Sequence, residues 1–69
     1  MITDEELFRL ANEYSSADTE ISALICLLKD LRNFQRRLEL IEADFSLIVM
    51  AQYFEVEVSA RLKRALKNR

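Results

Sequence analysis

The chain has 69 residues, a formal net charge of −2, one cysteine, and no histidine, glycine or proline. A chain of this length forms one domain, and so small a domain buries only about 60% of the surface that its unfolded chain exposes. Domains of this size usually gain stability from disulfides, a metal or another chain. The single cysteine excludes an intrachain disulfide, and a zinc site would need histidine or a second cysteine. Association with another chain is therefore the expected source of extra stability.

The composition predicts an all-α fold. Hairpins in a small β-protein favour glycine or Asn-Gly turns, which this chain lacks. Leu, Ala, Glu, Arg and Lys are abundant, and these residues are good helix formers. We predict one helical domain spanning residues 1–69, in which a short N-terminal helix precedes an antiparallel, coiled-coil-like helical hairpin.

The first helix has a clear start signal. The segment from Thr3 to Glu6 fits a capping box, in which the Thr3 hydroxyl accepts from the Glu6 amide and the Glu6 side chain reaches back. Three acidic residues in this first turn also suit the positive end of the helix dipole. We predict helix one from about Asp4 to Tyr14.

A heptad pattern runs from helix one into helix two. With Leu7 at position a, ten of eleven a and d positions are apolar, as in a coiled-coil seam. Ser and Asp within 15–18 favour a break, because they prefer caps and turns. We predict a turn near Ser16 and helix two over about 17–38, with one continuous helix as the alternative. The heptad positions are Leu7, Tyr14, Ile21, Leu28 and Gln35 (a), and Leu10, Ala17, Leu24, Leu31, Leu38 and Phe45 (d).

The third helix competes with a strand. Residues 53–58 alternate like a strand, yet Phe54, Val58, Leu62 and Leu66 are spaced by four, as on one face of a helix. No other segment offers a partner strand. We predict helix three over about 44–67, capped by Asp44 or Ser46.

Two apolar bands predict protein binding. Residues 23–28 and 47–51 are apolar without interruption, so in helices they face every direction. A hairpin buries one stripe of each helix, and the remaining apolar surface marks an interaction site. Use of both bands inside a monomer is the alternative. The candidates for the hairpin core or the partner interface, which the sequence does not separate, are Leu24, Ile25, Leu28, Leu31, Ile48, Val49 and Phe54.

The sequence offers little chemistry, and we predict neither enzymatic activity nor a cofactor. General acid–base work without histidine would fall to carboxylates, Lys or Tyr, and Glu39 and Glu42 lie near a helix junction where they suit solvated or capping charges. Cys26 stands between Ile25 and Leu27 with no base beside it, which predicts a buried structural thiol. No motif indicates a metal site.

The C-terminal helix carries a possible basic patch of Arg61, Lys63, Arg64 and Lys67. Such a cluster could contact phosphates. Cations are also favourable at a helix C-terminus, which explains the charges without a ligand. We therefore expect no nucleic-acid partner, and keep a small nucleic-acid-binding regulator as an alternative.

Targeting signals are absent from the segments that would carry them. The first ten residues are acidic and polar, unlike a signal peptide. The longest uncharged stretch, Phe45 to Phe54, has ten residues and is too short to cross a bilayer. We predict a cytoplasmic protein with a reduced thiol and no membrane partner.

The chain resembles a known family in its order of helices. Ile21 to Leu38 would form the first hairpin arm and Asp44 to Leu66 the second, after a short acidic helix. In length and pattern this is similar to the small co-chaperones of type III secretion needle proteins. The resemblance implies a tetratricopeptide-like chaperone as partner, with which the chain would keep the needle subunit monomeric. Residues 37–41 depart from the family pattern, because the hairpin turn is expected to contain glycine or small residues.

The sequence also allows two alternative functions. The chain could be a self-associating module, forming a dimeric bundle of phage or plasmid origin, or the nucleic-acid-binding regulator described above. The preferred function is a non-enzymatic, protein-binding hairpin that acts as a chaperone or co-chaperone, with a helical-repeat partner favoured over a homo-oligomer.

Overall fold

The computed structural model describes residues 2–14 and 19–68, and all of its regular structure is helical. The helices are α1 (Asp4–Glu13), α2 (Thr19–Leu40) and α3 (Phe45–Lys67). Helices α2 and α3 pack closely as a hairpin, with the short α1 against α2. This confirms the predicted fold class. The turn predicted near Ser16 and the start predicted at Ala17 lie outside the described residues.

Helix α1 begins with the predicted capping box. The Glu6 amide donates to Thr3 Oγ1 at 3.1 Å, and the Thr3 amide donates to Glu6 Oε1 at 3.5 Å. Further along, Arg9 and Glu13 form an i, i+4 ion pair at 3.0 Å. Because both side chains of that pair are largely exposed, it adds little to stability.

The hairpin turn is built without glycine. Helix α2 continues to Leu40, two residues beyond its predicted end. The chain then reverses through Glu42, which adopts a left-handed conformation with φ of 51°. The Ala43 amide donates to the Leu38 carbonyl at 2.9 Å and the Glu42 amide to the Glu39 carbonyl at 3.2 Å. These two bonds form a Schellman motif, in which Glu42 occupies the position that glycine usually takes.

Helix α3 is capped by Asp44, whose Oδ1 accepts from the Ser46 amide at 2.8 Å. The segment Tyr53–Val58 lies in the middle of this helix, so the strand alternative is wrong. The predicted buried stripe is correct for Val58 and Leu62. Phe54, a candidate for either the hairpin core or the partner interface, is 54% exposed. The buried face also includes Ala51 and Glu55, eight and four residues before Ser59, which is buried as well.

The main core joins all three helices. Leu28 and Leu62 are fully buried, and Ile21 is nearly so. The heptad seam therefore holds along most of α2, but Phe45 is wrong as a seam residue, since it is 78% exposed beside the turn. The core cluster comprises Ile2, Leu7, Leu10, Ile21, Ile25, Leu28, Val58 and Leu62.

Helix α1 covers only part of the hairpin. Asp4, at its start, contacts Arg32 and Arg36, and the carbonyl of Tyr14, beyond its end, accepts from the Ser22 hydroxyl. It therefore runs antiparallel to α2 from the middle of that helix toward the open end. Within residues 2–14 and 19–68, no third helix lies on the part of the hairpin nearer the turn.

Candidate protein-binding surfaces

A polar cluster joins α1, α2 and α3 at the edge of the core. Arg32 Nε lies 3.3 Å from Glu55 Oε2, and Arg32 Nη1 lies 2.7 Å from Asp4 Oδ1. The same guanidinium donates to the Ile2 carbonyl, and Gln35 donates to the other Glu55 oxygen. The Arg32 and Glu55 side chains are only 13% and 11% exposed. Their charges are thus paired and hydrogen-bonded, as partly dehydrated charges need to be.

We call the first exposed apolar surface the distal face, made of Phe45, Val49, Tyr53 and Val56 on α3. These positions are spaced by four, four and three residues, so they share one side of the helix. Phe45 and Tyr53 are 78% and 72% exposed, and Val56 is half exposed. Val49, Gln52, Tyr53 and Val56 line a shallow depression of about 300 Å³. Large aromatic side chains in such a position are typical of interaction sites.

A second apolar surface, the back face, lies on the side of the hairpin away from α1. There a groove of about 650 Å³ opens between α2 and α3 near the open end, lined in part by Ala23, Leu24 and Arg61. Helical periodicity extends this side of both helices toward the turn, through residues four or seven positions away. All of these residues are partly or substantially exposed. The back face comprises Leu27, Leu31 and Phe34 of α2, and Leu47, Met50 and Phe54 of α3.

The four predicted basic residues lie in the last turns of α3. All are exposed, and none forms an ion pair with an acidic residue in the described part of the chain. Arg61 and Arg64 line the groove between the hairpin helices. Lys63 and Lys67 are four residues apart on another side of α3. Cations at this end of α3 also suit the negative end of the helix dipole.

The predicted interface candidates fall into two groups. Ile25 and Leu28 lie in the core of the chain itself, and Leu24 and Leu31 pack partly buried against it. The other three, Ile48, Val49 and Phe54, lie in the part of α3 nearer the turn and remain half buried or exposed. Each apolar band is thus only partly buried within the chain: Ile25 and Leu28 of the first band and Ala51 of the second are buried.

Sequence reasoning missed the Arg32–Glu55 pair and the most exposed aromatic residues. A signal for Glu55 was present: it lies four residues after Ala51, three before Val58 and seven before Leu62, and all three are buried. Phe45 was missed because the heptad pattern placed it in the seam. No periodic pattern in the sequence singled out Tyr53 as a surface residue.

The structure places Cys26 at the surface, so its prediction as a buried thiol is wrong. The neighbouring Ile25 takes the core position, which turns the cysteine outward beside Ala11 and Tyr14. The described residues contain no group of three or more metal-ligating side chains that could hold an ion. Nor does any described helix have the length and apolar character that crossing a membrane requires.

Comparison of the chain with protein-family models, with characterised proteins and with solved structures finds no match.

Proposed function

We propose that this chain is a non-enzymatic, protein-binding hairpin that holds a partner protein on its distal face. The observation that carries the proposal is the first part of α3. From Phe45 to Phe54 it contains no charged residue, yet Phe45 and Tyr53 are each more than two thirds exposed. A helix that is apolar on its outer sides is typically covered by another surface.

The shape and charge of this segment indicate which kind of partner surface would fit it. Apolar side chains emerge from the outer side and from the flank of α3, so a concave surface covers them better than a flat one. Glu42 and Asp44 stand at the turn, where α3 begins, without a described cationic partner. The complementary surface is an apolar groove with basic residues at its rim.

The resemblance to type III secretion co-chaperones gives this partner a specific form. A tetratricopeptide-like chaperone presents a concave groove between stacked helices, and would meet the requirement of the distal face. In that assignment the chain acts in the cytoplasm and stabilises the chaperone, and the pair keeps the needle subunit monomeric.

The test starts with the tagged protein isolated from its host and identification of any stoichiometric partner. That partner is then purified and titrated calorimetrically with the wild type, with Tyr53→Lys and with Ala60→Lys. Ala60 is a matched control, because it is exposed on the same side of α3 two turns further on, outside the uncharged segment.

We expect Tyr53→Lys to weaken binding by at least ~30-fold, since an aromatic residue central to an interface contributes about 2 kcal/mol or more. Ala60→Lys should leave the affinity unchanged. The proposal fails if no purified partner binds, or if both variants bind like the wild type. The co-chaperone assignment additionally requires that the captured complex contain a needle subunit.

A further inference from the structure

We propose that the back face is covered by the back face of a second copy of this chain, in a two-fold, antiparallel arrangement. This goes beyond the proposed function, because it concerns a different surface and leaves the distal face free for another protein. The paired hairpins would form a four-helix bundle, with each α1 on the outside.

The first observation that supports the dimer is the position of α1 on α2. Helix α1 and its neighbours contact α2 through Ser22, Arg32 and Arg36. Leu27 and Phe34 lie on the other side of α2, and Leu31 lies between that side and the core; the described residues place no third helix there. Yet these residues repeat at spacings of four and three, the pattern of a helix that packs on two sides. One of the two packing sides is therefore left without cover.

The second supporting observation is the amount of exposed apolar surface on the back face. Five back-face residues are large and between about two fifths and two thirds exposed. At roughly 200 Å² for a large apolar side chain, the six residues present on the order of 600 Å². A polar rim brings this close to the ~800 Å² that each partner contributes to a standard interface. The back face is thus large enough for a stable dimer.

The third supporting observation is the distribution of charge, which favours an antiparallel arrangement of the two copies. Arg61 and Arg64 line the groove at the open end of the hairpin together with Glu20, and Asp44 caps α3 at the turn end. Phe54 lies midway, ten residues from Asp44 and ten from Arg64. A two-fold axis at Phe54 therefore places Asp44 of each copy opposite Arg64 of the other. A two-fold interface presents the same patch from both copies, and this patch is complementary to itself only when reversed.

Sedimentation equilibrium of the isolated protein over a range of concentrations tests the proposal without any other partner. We expect a species of twice the 8.1 kDa chain mass. Phe34→Lys should raise the dimer dissociation constant by at least ~100-fold, because the two-fold interface contains the substituted side chain twice. Phe34 is about half exposed, so the monomer should keep its helical circular dichroism spectrum.

Two further variants control for surface and direction. Tyr53→Lys changes the distal face and should remain dimeric. Arg64→Asp should weaken the dimer about tenfold, and adding Asp44→Asn should restore it, since Asn keeps the helix cap while removing the like charge. A wild type with the single-chain mass at every concentration overturns the proposal. So does a Phe34→Lys variant that dimerises like the wild type, and failure of Asp44→Asn to restore Arg64→Asp overturns the antiparallel arrangement.

These outcomes are independent of the proposed function. If the wild type is monomeric and its Tyr53→Lys variant no longer binds the partner, only the two-fold dimer is refuted. A dimer that binds no other protein would refute only the function proposed for the distal face.

Discussion

The Arg32–Glu55 pair allows a quantitative test of how the three helices are held together. Glu55→Ala removes the acceptor of both Arg32 Nε and Gln35, leaving the guanidinium partly dehydrated with only Asp4 and the Ile2 carbonyl as partners. Removing one partner of a buried ion pair costs about 3 to 5 kcal/mol. Because Arg32 keeps two acceptors, we expect the lower end, about 3 kcal/mol. A 69-residue domain has about 3 to 10 kcal/mol in total, so this loss is a large fraction of its stability.

Arg36→Ala is the matched control for this prediction. Arg36 binds the same Asp4 carboxylate at 3.2 Å, but both side chains are more than 60% exposed. Exposed pairs are worth about 0.2 to 1 kcal/mol, so this variant should lose no more than that. The free energy of unfolding would be measured by urea denaturation with circular dichroism detection, at one protein concentration. Equal losses for Glu55→Ala and Arg36→Ala would refute the view that burial makes the Arg32–Glu55 pair important.

Three further predictions concern single positions. Glu42→Gly should stabilise the protein by about 0.5 to 1 kcal/mol, because glycine adopts the left-handed conformation at this turn without steric cost; a lower urea midpoint would contradict it. Ser59→Ala should raise stability by about 1 kcal/mol, since the buried Ser59 hydroxyl has no hydrogen-bond partner among the described groups, and any loss of stability would argue against this. Cys26 should react with Ellman's reagent in the folded protein as fast as in urea, because its side chain is exposed; slow native labelling would show that it is covered.

The fold was largely predictable because it follows from local rules. The absence of glycine and proline, the capping box at Thr3 and the Asp44 cap each depend on a few neighbouring residues. The end of α2 was harder to predict from the sequence, because the helix terminates where a non-glycine residue, Glu42, adopts a left-handed conformation. Such a residue leaves no compositional mark in the sequence.

The surfaces were harder to predict than the helices. Sequence periodicity identified two apolar bands, but it could not show which sides of them α1 would cover. That depends on the pairing of Asp4 with Arg32, which are separated by 28 residues. The side of α3 that faces α2 likewise includes Glu55, a charged residue in a buried position. Binary apolar patterning counts such a residue against burial, and so did not place Glu55 on the buried side.

The unequal reach of α1 along the hairpin has a consequence for motion. Near the open end, opening the hairpin must separate α1 from Leu28 and Leu62 in the shared core. Near the turn, only the contacts between two helices must break, so amide hydrogens there should exchange with solvent through smaller and cheaper fluctuations. Protection in the free protein should therefore fall from the middle of α2 toward Leu40, and a bound molecule should slow exchange most at the beginning of α3.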